Sequence, residues 1–152
     1  MMHAGRELAI RLEQAGVAAA IDAAATHRQL FPNSSAEVLE TGSGVAVFID
    51  EQSPLTQVRG VGMAGMTPES DIDEIEAFFD ERMAPVVIVI NPFTDAALLT
   101  HLARRGYDFG AFENVMVRGV NPSDRGRFPE ATLADTSEDW CRVMMEAFYE
   151  ED

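Results

Sequence analysis

The chain has 152 residues, 47% of them hydrophobic and 24% charged, a balance that suits one globular domain with a real core and excludes a disordered segment. Its 26 acidic side chains against 11 basic ones leave a net charge of −15, which repels phosphate backbones and anionic lipid; neither nucleic acid nor a membrane is expected as a partner. Cys141 is the only cysteine, which excludes an intramolecular disulfide and a cysteine zinc site and makes a reduced, cytoplasmic setting the expectation.

Arg6–Leu30 is alanine-rich and predicts a long helix with Leu8, Leu12, Ala15, Ala19 and Ala23 on one stripe. "FPNSS" ends it, because proline disfavours helical geometry in the residue before it. Ala36–Glu40 and Val45–Asp50, joined by "TGSG", read as a hairpin. "LTQVRGVGMAG" (Leu55–Gly65) extends them into a meander of three antiparallel strands.

The clearest helix runs over "MTPESDIDEIEAFFDERM" (Met66–Met83), with Thr67 as the expected N-cap and Pro68 at the first helical position. Ile72, Ile75, Phe78 and Phe79 form its core face, and Glu69, Asp71 and Asp73 suit the dipole at its start. Pro85–Ile90, "PVVIVI", has the pattern of a central strand covered on both faces. A helix from about Asp95 to Arg105, capped by Thr94 and closed by Gly106, comes next, and Phe112–Val120 predicts a last strand.

This order predicts an α+β (mixed α/β) domain over residues 1–120, with helices on both faces of a mixed sheet. Residues 121–139 read as a polar linker, and 140–152 as an amphipathic helix with Trp140, Val143, Met144, Ala147 and Phe148 on its apolar side. With nothing after it to cover that stripe, the helix is expected to fold back or to pair two copies of the chain as a homodimer.

Three local patterns in this order resemble the GNAT (N-acetyltransferase) superfamily. Arg59-x-x-Gly62-x-Ala64 fits the [Q/R]-x-x-G-x-[G/A] loop that binds the pyrophosphate of acyl-CoA, and "VVIVINPFTDAALLTHLARRGY" resembles the strand, Asn and helix of the family's second motif. "LFPNSSAEVLETGSGVAVFIDEQSPLTQVRGVGM" is similar to the amino-terminal half of tandem two-domain GNAT proteins, and "FPEATLADTSEDWCRVMMEAFYEED" to the opening of the second half. The resemblance implies a GNAT-like sheet, acetyl-CoA as cofactor, and cofactor contacts from Arg59, Gly62, Met63, Ala64, Gly65 and Asn91. It implies no metal.

The residues leave two readings of the glycine segment open. A run of N–H groups at a helix start can cradle an anion. Alternatively, Gly62-Met63-Ala64 lies within the third strand as a glycine-softened stretch, and Pro68 with Glu69, Asp71 and Asp73 opposes a pyrophosphate. Arg59 is then a solvated strand arginine, and Asn91 turns the chain before Pro92. Aligned on Gly106-Tyr107, the family's helix tyrosine, its usual general acid, falls on Leu102, and no catalytic residue is assigned. His3, His27 and His101 lack metal-ligand spacing, and His101 is expected to be inert on a helix surface. The expectation is a degenerate, non-catalytic GNAT-like module, the alternative being an acyl-CoA-dependent N-acetyltransferase acting on an unknown amine.

Overall fold

The computed structural model describes residues 5–117, Thr136 and Asp139. The chain divides into two compact units, Met1–Phe112 and Glu113–Asp152.

The first unit is mixed α+β, with three helices and a three-stranded antiparallel sheet. In order they are α1 (Arg6–Leu30), β1 (Glu37–Glu40), β2 (Val45–Phe48), β3 (Gln57–Arg59), α2 (Glu69–Asp80) and α3 (Ala96–Arg104). The sheet runs β1-β2-β3, with Val38 opposite Val47 and Ala46 opposite Val58. All four β2 residues are buried because helices cover both faces. Val45, Val47 and Ile49 meet Ala20 and Ala24 of α1, while Ala46 and Phe48 join Ile72, Ile75 and Phe79 of α2 and Leu98 and Leu102 of α3. Alternation along one strand thus feeds two cores.

The core face of α1 differs from the expected stripe. Its buried residues are Glu13, Ala20 and Ala24, with Val17 and Ile21 partly buried beside them, whereas Ala15 and Ala19 are exposed. The helix is turned so that Glu13 reaches the chain beyond β3, where it accepts the Gly60 N–H at 3.0 Å. Satisfying that donor outweighs the slight difference in burial among alanines.

The third strand is much shorter than Leu55–Gly65. It ends at Arg59, because Gly60, Gly62 and Gly65 take φ of +85°, +73° and +134°, which no strand accommodates. Gly62-Met63-Ala64 is therefore a loop rather than a stretch of strand. Upstream, the Thr56 hydroxyl donates to the Asp50 carbonyl at 2.7 Å and accepts the Ile49 N–H at 3.0 Å, closing the turn that leads into β3.

The expected caps move by one residue. Pro68, in extended conformation, is the N-cap of α2, and Thr67 caps nothing; its buried hydroxyl has no partner among the described residues. At α3, Asp95 is the cap, accepting the Ala97 N–H at 2.8 Å, while the Thr94 hydroxyl accepts the Asn91 N–H at 3.0 Å. Gly106 closes α3 with φ +86°, as its position predicts.

Pro85–Ile90 is not a central strand covered on both faces. Among the described residues it joins the sheet through one parallel bridge, Val58 to Ile88, and Val87 is 49% exposed. Phe112–Val117 forms no strand and is largely exposed, with Phe112 stacked on Phe109 at 5.6 Å. The rest of that expected strand, the linker apart from Thr136 and Asp139, and the 140–152 helix with its pairing role lie outside the described residues. No helix among the described residues is long and apolar enough to cross a membrane.

Candidate functional site

The parallel contact between β3 and Ile88, with α2 as the crossover, sets two chain segments side by side. One is the loop from Gly60 to Pro68; the other runs from Val89 to Asp95. Four contacts close the space between them. The Asp95 N–H donates to the Gly62 carbonyl at 2.9 Å, and the Asn91 amide reaches the Met63 sulfur at 3.0 Å. From α1, the Arg6 guanidinium donates to the carbonyls of Met63 and Phe93, each at 3.1 Å.

The sequence-nominated residues divide accordingly. Arg59 lies beneath α1, 3.8 Å from Glu13 and against Gly16, where an added Cβ would meet its guanidinium at 2.7 Å. Gly62 packs on Thr94 and Leu98, leaving no room for a side chain. Met63 is buried, whereas Ala64 and Gly65 are exposed at the loop's tip. Asn91 turns the chain: its side-chain oxygen accepts the Phe93 N–H at 2.8 Å. The fold thus gathers Gly62, Met63 and Asn91, leaves Ala64 and Gly65 outside, and draws Arg59 away to α1.

A cavity of about 470 Å³ lies further along, at the start of α2. Met66, Thr67, Pro68 and Glu69 line it on one side, and Ala97, Thr100, His101 and Arg104 of α3 on the other. Glu69 pairs with His101, while among the described residues no carboxylate holds Arg104. The helix start favours an anion, but Glu69 already supplies one and Pro68 offers no N–H. The α3 half of this cavity was legible as spacing, since residues 97, 100, 101 and 104 share one helical face. The pairing of Glu69 with His101 had no local signal.

Beside the cavity, an ionic seam binds α3 to α2. Arg105 reaches Asp73 at 2.6 Å and Glu76 at 2.7 Å, and Tyr107 donates to Glu76 at 3.1 Å. The hydrogen bond to Asp73 is the main reason the Arg105 pKa is raised. Burial, reinforced by the Glu76 carboxylate, holds the Tyr107 phenol well above its ordinary value. Tyr107 therefore remains protonated and committed to α2. Among the described residues no group of His, Cys, Asp and Glu could hold a metal ion.

No family model, curated protein or solved structure matches the chain.

Proposed function

We propose that this chain is a non-catalytic module of GNAT-like build, in which its own side chains fill the place where a coenzyme arm would lie. The observation that carries this reading is the Arg6 guanidinium on the carbonyls of Met63 and Phe93, beside a Gly62 carbonyl already bonded to the Asp95 N–H. An extended amide-bearing arm needs unpaired main chain to bind. Here the facing carbonyls are engaged, and Met63 with Asn91 occupies the space between them. The β3–α2–Ile88 parallel crossover and the glycine loop before α2 support the family resemblance. Leu102, buried where the family's general acid would stand, supports the lack of chemistry. Calorimetric titration with acetyl-CoA tests the reading, which expects no heat of binding up to about 1 mM.

The cavity at the start of α2 favours a second reading, acyl-CoA-dependent N-acetyl transfer to an amine. In that reading Arg104 would meet the coenzyme's phosphates, with Glu69 displaced from them. Micromolar binding abolished by Arg104→Glu would replace the first reading with this one.

A further inference from the structure

We draw no further inference here: the strongest candidate, the cavity between the start of α2 and the face of α3 that carries Ala97, Thr100, His101 and Arg104, belongs to the site already described.

Discussion

Glu13, on the buried face of α1, accepts the main-chain N–H of Gly60 at 3.0 Å and lies 3.8 Å from the Arg59 guanidinium. This carboxylate links the first helix to the point where the glycine loop leaves β3. Its removal leaves a half-buried donor and an arginine unpaired. Glu13→Ala is expected to cost about 1–3 kcal/mol in urea unfolding, and Glu13→Gln, which keeps an acceptor, less than half of that.

The glycines of this region are unequal, and substitution separates them. At Gly62, φ is +73° and a Cβ would lie 2.8 Å from Thr94 and 2.9 Å from Leu98. Gly62→Ala thus combines backbone strain with overpacking and is expected to cost on the order of 2–4 kcal/mol. Gly16→Ala meets only the mobile end of Arg59 and gains about 1 kcal/mol of helix propensity, so its net effect stays within about 1 kcal/mol of zero. Thermal unfolding of the two variants checks the contrast.

Thr67 and Asp95 precede neighbouring helices but act differently. Asp95 caps α3, so Asp95→Ala is expected to destabilise by about 0.5–2 kcal/mol. The Thr67 hydroxyl is buried without a partner, so Thr67→Val, which replaces it with a methyl group, is expected to stabilise by about 1 kcal/mol. Chemical denaturation of both variants gives the signs directly.

Tyr107 predicts a loss of stability at alkaline pH. Its phenol is held above the ordinary value of about 10 by burial and by Glu76. In the unfolded chain the phenol ionises first. Its contribution is therefore complete below about pH 10 and is lost as pH rises toward the folded-state value. Tyr107→Phe flattens the stability profile above about pH 9.5 and removes the late phenolate transition from an ultraviolet titration.

Residues whose structure depends on near neighbours were legible in the sequence. The bounds of α1, the hairpin through "TGSG", the apolar face of α2 and the Gly106 terminator follow from periodicity and turn chemistry. What failed depended on distant partners. The buried face of α1 is set by Gly60, 47 residues beyond Glu13. Pro85–Ile90 has the composition of a central strand, yet composition does not say how many neighbours a strand finds. The glycines at 60, 62 and 65 did signal a departure from strand geometry, and reading the alternation through them extended β3 too far. At the candidate site, the resemblance nominated Gly62, Met63 and Asn91, which do converge. Arg6, which covers them, stands outside every motif and could be found only in three dimensions.

Isothermal titration of the full chain with acetyl-CoA tests the central claim, that the chain's own groups occupy the coenzyme's place. The account predicts no saturable heat for the wild type up to about 1 mM, and none after Arg6→Ala, since Met63 and Asn91 still fill the space. Saturable micromolar binding by the wild type, lost on Arg104→Glu, would contradict it.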